Sequence, residues 1–113
     1  MVHTVTPAGL VEMLSTQNAP IDLIDVREPS EWDTGHIPGA RLVPLAQFRA
    51  DPEKVLVRGV TTVFICAKGV RSLAAAKLAE RFGYDHLFNL EGGTKEWAST
   101  DHPLHVDAVR AAA

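Results

Sequence analysis

The residues best suited to chemistry are the only cysteine of the chain and the short segment that it opens, Cys66 to Arg71. Residues 61–65 have the composition of a buried strand, and residues 70–82 that of a helix. A thiol between a strand and a helix N-terminus lies near free backbone N–H groups, which stabilise negative charge. Lys68 and Arg71 add two cations at the same turn. The segment therefore predicts a reactive thiolate and a site for an anion.

The residue types within this loop suit that chemistry individually. An ordinary cysteine is only a few per cent ionised at pH 7, so Cys66 needs surroundings that lower its pKa. Gly69 permits backbone torsions that turn several N–H groups inward, and such a nest of amides binds an anion. Arg71 can fix the loop or bind an oxyanion through two hydrogen bonds. Lys68 can supply positive charge at the mouth of the loop.

Length and composition favour one globular domain. The chain has 113 residues, of which 46% are hydrophobic and 22% charged, with a formal net charge of -3. This charge gives no basic surface for nucleic acid, and no apolar run approaches the roughly 20 residues of a membrane span. We therefore expect neither nucleic acid nor a membrane as a partner. A single cysteine excludes an intrachain disulfide, which favours a reduced, cytoplasmic setting.

Strand-like and helix-like segments alternate, which predicts an α/β fold with a central, mostly parallel sheet and helices on both faces. We expect about five strands, at residues 3–5, 21–26, 40–43, 61–65 and 86–90. In such sheets, sites lie at the carboxyl ends of the strands, where Asp25, Cys66 and Glu91 fall. The predicted fold thus brings these side chains to one edge.

Local patterns also predict how two helices begin and pack. Ser30 and Asp33 have capping-box spacing at the start of a short helix. Gly83 is placed to end the long helix that follows the loop. Four apolar residues of that helix are spaced four apart and are expected to line its buried face: Val70, Ala74, Leu78 and Phe82.

Four segments in order resemble the signatures of the rhodanese-like sulfurtransferases in their single-domain form. Two precede the cysteine, at residues 25–32 (Asp-Val-Arg-Glu-Pro-Ser-Glu-Trp) and 35–40 (Gly-His-Ile-Pro-Gly-Ala). The third is the loop from Cys66 to Arg71, and the fourth is residues 90–93 (Leu-Glu-Gly-Gly) with Trp97. The resemblance implies a rhodanese-like domain over residues 1–103, followed by a C-terminal tail at 104–113.

The resemblance implies a double displacement at Cys66. The thiolate would take sulfane sulfur from an anionic donor such as thiosulfate and form a persulfide. A thiophilic acceptor, which would be cyanide, a thiol or a protein thiol, would then remove that sulfur. Cys66 and Arg71 would be catalytic, and no metal or organic cofactor is implied. The substrate would contact the rest of the loop: Ala67, Lys68, Gly69, Val70 and Arg71.

Three further residues are expected to support the site structurally. Asp25 would cap backbone N–H groups and pair with Arg27. His36 could act as a general base, but a thiolate that attacks sulfur needs none, so we expect its ring to bond a backbone group. The remaining histidines have no ligand spacing to carboxylates or to the thiol, so we expect no metal site: His3, His86, His102 and His105.

Two alternative functions stay open. Related phosphatases and arsenate reductases have a loop one residue longer, which suits a tetrahedral oxyanion, whereas the loop here has six residues. Ile65 also stands where many cysteine phosphatases have histidine. Ala67 replaces an arginine that many thiosulfate-using relatives carry after the cysteine. That replacement leaves open a module that binds a protein partner and carries sulfur for it.

Overall fold

A five-stranded sheet forms the centre of the computed structural model, which describes residues 1–107. All neighbouring strands are parallel, in the order β1-β5-β4-β2-β3, so the strand that leads into Cys66 is the central one. The predicted parallel sheet is confirmed. The strands are β1 (Val2–Val5), β2 (Ile21–Asp25), β3 (Arg41–Leu42), β4 (Thr61–Ile65) and β5 (Leu87–Leu90).

Helices connect these strands and lie on both faces of the sheet. In the part of the chain that the structure describes, none is long and apolar enough to cross a membrane. The helices are α1 (Pro7–Thr16), α2 (Pro29–Asp33), α3 (Leu45–Ala50), α4 (Pro52–Val55), α5 (Val70–Arg81) and α6 (Gly93–Ser99).

The side chains of β4 alternate between two hydrophobic clusters, because successive residues of a strand point to opposite faces. Phe64 packs in a cluster with Phe48 of α3 and with the alanines of α5. Ile65 packs in the other cluster, with Leu10 of α1 and Trp97 of α6. The prediction of helices on both faces is therefore confirmed.

The buried face of α5 differs from the predicted one. Val70 is 76% exposed and Phe82 is 42% exposed, whereas Ala75, Ala76 and Ala79 are fully buried. Small side chains allow the helix to lie close to β4 and β5. Of the four residues predicted to line the buried face, Leu78 packs against this cluster, whereas Val70, Ala74 and Phe82 are exposed. The helix does end where it was predicted to end, since the residue after Phe82 is a glycine at φ 84°.

The start of α2 also differs from the predicted one. Glu28, not Ser30, is the N-cap, because Pro29 occupies the first helical position and the cap must precede it. The N–H of Glu28 donates to Oε1 of Glu31 at 3.0 Å. This cap places the Glu31 carboxylate at the N-terminal end of α2.

The beginning of the predicted tail packs on the domain. Leu104 packs against the cluster that contains Leu10 and Trp97. His105 forms an antiparallel bridge with His36, with N···O distances of 2.8 and 2.9 Å. Residues 108–113 of the predicted tail lie outside the described residues.

Candidate active site

The loop between β4 and α5 wraps around the sulfur of Cys66. Cys66 directly follows the last residue of β4, and α5 begins at Val70. Gly69 has a φ of 98°, a left-handed torsion that glycine adopts without strain. This turn allows the N–H of Gly69 to donate to Cys66 Sγ at 3.0 Å.

The first turn of α6 holds the loop from its other side. The N–H of Thr94 donates to the carbonyl of Cys66 at 2.8 Å, and the N–H of Lys95 donates to that of Ala67 at 3.1 Å. In a trans peptide, the carbonyl and the following N–H point in opposite directions, so the Ala67 carbonyl that is directed to α6 leaves the N–H of Lys68 directed to the sulfur. A Cβ on Gly93 would clash with the carbonyl oxygen of Cys66 and with the backbone of Ala67, so this close approach requires glycine.

Two buried polar side chains complete the surroundings of the sulfur. Ser72 Oγ lies 3.2 Å from Cys66 Sγ and donates to Oδ1 of Asn89 at 2.5 Å. Nδ2 of Asn89 donates to the carbonyl of Gly69 at 3.1 Å. A single network therefore joins the nucleophile, the glycine of its loop, the first turn of α5 and the central region of the sheet.

These surroundings lower the pKa of the Cys66 thiol below its ordinary value. Burial alone raises that pKa, because a medium of low dielectric constant disfavours the thiolate. Hydrogen bonds from the Ser72 hydroxyl and from the N–H groups of Ser72, Lys68 and Gly69 outweigh this effect. Since Cys66 is only 1% exposed, its ionisation depends on these donors more than on bulk water.

Arg71 is directed to Glu31 of α2. Two hydrogen bonds, of 2.7 and 2.9 Å, join the guanidinium to both carboxylate oxygens. The bond from Arg71 holds the pKa of Glu31 at about 2, and Glu31 raises the pKa of Arg71. The pair fastens the end of the loop to α2, while the expected contact of Arg71 with a substrate oxyanion stays a prediction.

Asp25, Arg27 and His36 join β2 to α2 and the turn after it. Arg27 Nη2 donates to Oδ2 of Asp25 at 2.9 Å and to the carbonyl of Gly35 at 2.8 Å. The N–H of Arg27 donates to Oδ1 of Asp25 at 3.0 Å. The His36 ring stacks on Trp32, and its Nδ1 lies 3.4 Å from the Trp32 carbonyl oxygen. Their supporting role at the site stays a prediction.

A shallow depression of about 210 Å³ opens over the loop. Lys68 is exposed at its rim, where its ammonium group can attract an anion. Glu91, which was also expected at this edge of the sheet, is exposed, and its N–H donates to the carbonyl of Val5. The depression is lined by Cys66, Ala67, Lys68, Val70 and Arg71.

Sequence reasoning missed Glu31, Ser72, Asn89 and Gly93 as parts of this arrangement. Asn89 carried a signal, because an amide inside an apolar strand needs a hydrogen-bond partner. Gly93 carried a weaker one, as the second glycine of a pair. The pairing of Glu31 with a residue 40 positions away has no local signal.

Comparison with known proteins places these features in a family. The sequence matches the rhodanese-like domain over residues 6–100. The probable adenylyltransferase/sulfurtransferase MoeZ of Mycobacterium tuberculosis is 36% identical over 101 residues, which cover 88% of this chain and 26% of that protein. The thiosulfate:glutathione sulfurtransferase of Saccharomyces cerevisiae is 35% identical over 91 residues, which cover 68% of this chain and 64% of that protein. The chain thus spans less than two thirds of the length of either relative.

A solved structure supports the same assignment. A rhodanese-related protein from Thermoplasma volcanium superposes with a TM-score of 0.81 at 28% sequence identity, covering 93% of this chain and 99% of that one. The four segments that carry the predicted resemblance lie within residues 6–100, where the family matches. The chain therefore belongs to the rhodanese-like domain family.

Proposed function

We propose that this domain is a sulfurtransferase that carries sulfane sulfur as a persulfide on Cys66. The observation that carries the proposal is the set of hydrogen bonds around the sulfur, with the Gly69 N–H at 3.0 Å and Ser72 Oγ at 3.2 Å. These donors stabilise negative charge on sulfur, which both a thiolate and a persulfide bear. The relatives named as sulfurtransferases support the same class of reaction.

The first half-reaction loads the cysteine. The Cys66 thiolate attacks the outer sulfur of an anionic donor such as thiosulfate. A new S–S bond forms as the S–S bond of the donor breaks, and its electron pair leaves with sulfite. Lys68 attracts the anion, and Arg71 keeps the loop in place through Glu31. The inward N–H groups hold the charged outer sulfur of the persulfide.

The second half-reaction removes the sulfur from Cys66. Cyanide, a thiol or a protein thiol attacks the outer sulfur, and the electron pair of the broken S–S bond returns to Cys66 as thiolate. Ser72 and the loop amides stabilise that returning charge. The sequence contains one cysteine, so no second thiol within these 113 residues can serve as the acceptor. Because this chemistry needs a free thiol, we place the protein in a reducing compartment, the cytoplasm.

Two other functions would use Cys66 differently from a sulfurtransferase. A sulfur-carrying module for a protein partner is favoured by Ala67, which offers no charge where a thiosulfate-binding arginine would stand. A phosphatase or arsenate reductase needs a wider cradle than a six-residue loop forms.

Steady-state assays separate the three functions. With thiosulfate as donor and cyanide or a simple thiol as acceptor, we expect continuous turnover by the wild-type protein and none by Cys66→Ser. We expect no hydrolysis of an aryl phosphate. Cys66-dependent phosphate release would contradict the proposal, and sulfur loading without turnover would support the carrier module instead.

A further inference from the structure

Three metal-ligating side chains meet where residues 105–107 pack on the domain. Nε2 of His105 lies 3.3 Å, and Nε2 of His36 lies 3.7 Å, from the same oxygen, Oδ1 of Asp107. All three ligand atoms lie within 4.8 Å of one another. Ligands around tetrahedral Zn²⁺ are about 3.4 Å apart, because each lies about 2.1 Å from the metal. Although sequence spacing predicts no metal site at these histidines, we propose that His36, His105 and Asp107 form a binding site for Zn²⁺ that does not include Cys66.

The backbone fixes the two histidines relative to each other. His36 and His105 are paired through both of their N–H and C=O groups in the antiparallel bridge. The ring of His36 is further held by its stack on Trp32, with ring centroids 3.5 Å apart, and the side chain is only 6% exposed. The stack therefore holds the His36 ring in place before an ion binds, and the bridge keeps the backbone of His105 beside it, which lowers the entropic cost of forming the site.

Trp32 also orients the atoms that would face the ion. Its carbonyl oxygen lies 3.4 Å from Nδ1 of His36, so a proton on Nδ1 leaves the lone pair of Nε2 for the metal. Its indole Nε1 donates to Oδ2 of Asp107 at 3.1 Å, which leaves Oδ1 for the metal. Histidines that bind metals almost always donate their other ring N–H in this way. The two contacts of Trp32, with His36 and with Asp107, are therefore of the kind that orients ligands at a metal site.

The types of ligand select the class of ion. Two imidazoles and one carboxylate suit Zn²⁺ and similar first-row divalent ions, whereas Ca²⁺ and Mg²⁺ prefer oxygen ligands alone. The side chains of His105 and Asp107 are 60% and 37% exposed, so water can complete a tetrahedron from the solvent side. Within residues 1–107, no other group of three such residues stands close enough to share an ion.

A bound ion would join residues 105–107 to His36, in the turn that follows α2. The ligands come from segments far apart in sequence, so the complete site exists only in the folded protein. A ligand that binds only the folded state raises the Tm, by an amount that grows with the logarithm of the ratio of free ligand to Kd. Zinc binding is thus expected to appear both as heat of binding and as thermal stabilisation.

Calorimetric titration of the untagged protein with Zn²⁺ tests the proposal, paired with thermal unfolding. We expect one zinc ion per chain and a higher Tm with zinc. His105→Ala and Asp107→Asn should each weaken binding at least about tenfold and remove the gain in Tm. Both positions are exposed enough for the variants to fold. Binding that is unchanged in both variants would overturn the proposal.

Two control variants separate this site from other zinc ligands. His86→Asn removes an exposed histidine that lies 3.8 Å from Asp85, and asparagine tolerates the φ of 56° found there. It should leave zinc affinity unchanged. Cys66→Ser should keep one zinc site, because the thiol is not a ligand of it. Loss of all zinc binding in either control would assign the ion elsewhere and refute the site.

Discussion

The Ser72 hydroxyl lies between two acceptors, Cys66 Sγ and Oδ1 of Asn89. It has one proton and can donate to only one of them at a time. When Cys66 is a thiol, its S–H can donate to Ser72 while Ser72 donates to Asn89. When the sulfur is charged, rotation of the hydroxyl directs the proton to sulfur. At the scale of single residues, Ser72 thus responds to the charge on the nucleophile.

Replacing Ser72 with alanine should raise the pKa of Cys66, because a donor to the thiolate is lost while burial remains. The thiolate fraction at neutral pH then falls, and alkylation of Cys66 should slow several-fold. The pH dependence of the alkylation rate measures the pKa of Cys66 in each variant. Ser99→Ala is the control, since that hydroxyl donates to the carbonyl of Glu96 on the exposed side of α6. An unshifted profile in Ser72→Ala would exclude this role.

Lys68→Ala should raise the KM for thiosulfate several-fold and lower kcat less, because an exposed ammonium group attracts the donor before reaction. The effect should shrink at high ionic strength, since salt screens exposed charges. Initial rates over a range of thiosulfate concentrations test it. Lys77→Ala removes an exposed lysine of α5 outside the depression and serves as the control. An unchanged KM in Lys68→Ala would remove Lys68 from donor binding.

The contact between α6 and the cysteine loop depends on Gly93. An alanine there would meet the carbonyl of Cys66 and would also have to adopt a φ of 60°. Gly93→Ala should therefore lower the free energy of unfolding by about 3 kcal/mol, through strain and overpacking together. Sulfur transfer should fall as well, because the N–H groups of Thr94 and Lys95 would lose their positions on the loop.

Gly59→Ala separates backbone strain from this steric conflict. Gly59 has a φ of 77°, but a Cβ there would have nothing within 4 Å. Gly59→Ala should lower the free energy of unfolding by only about 1 kcal/mol, and sulfur-transfer activity should remain. Urea unfolding of both variants gives the comparison, and equal losses of stability would rule out the close approach as the reason for Gly93.

The pair formed by Glu31 and Arg71 links α2 to α5, and its contribution should depend on pH. The pKa of Glu31 is lowered from 4.5 to about 2. A lowered pKa in the folded state gives stability that is complete above pH 4.5 and is lost as the pH falls toward 2. The side chains are about one third exposed, so we expect at most about 1 kcal/mol.

Glu31→Gln tests this linkage by urea unfolding at several pH values. The variant should be less stable than wild type near neutral pH, and the difference should shrink below pH 4.5. Glu53→Gln, in the exposed first turn of α4, should show no such dependence. A difference for Glu31→Gln that persists unchanged at acid pH would show that the ion pair is not its source.

Local patterns predict most elements of this domain but not how they pack. The apolar residues of β2 and β4 indicate buried parallel strands, and glycine marks the end of α5. The prediction of the buried face of α5 was wrong, because apolar residues spaced four apart do not show which side of a helix approaches the sheet. Three alanines of α5 pack against the sheet instead, and Val70 faces solvent at the rim of the site.

At the scale of the whole molecule, the sheet brings β2, β4 and β5 to one edge, and the site forms there. The position and loop of Cys66 could be predicted, since both depend on residues adjacent in sequence. The contacts of Ser72 with Asn89 and of Arg71 with Glu31 could not, because they join segments that meet only in the folded chain. The same holds for the bridge between residues 36 and 105.

The central claim is that Cys66 carries sulfane sulfur as a persulfide. Intact mass measurement after incubation with thiosulfate, without an acceptor, tests it most directly. We predict that the wild-type chain gains the mass of one sulfur atom, that cyanide removes it, and that Cys66→Ser gains nothing. A wild-type chain that gains no sulfur, or a Cys66→Ser chain that gains it equally, would contradict the account.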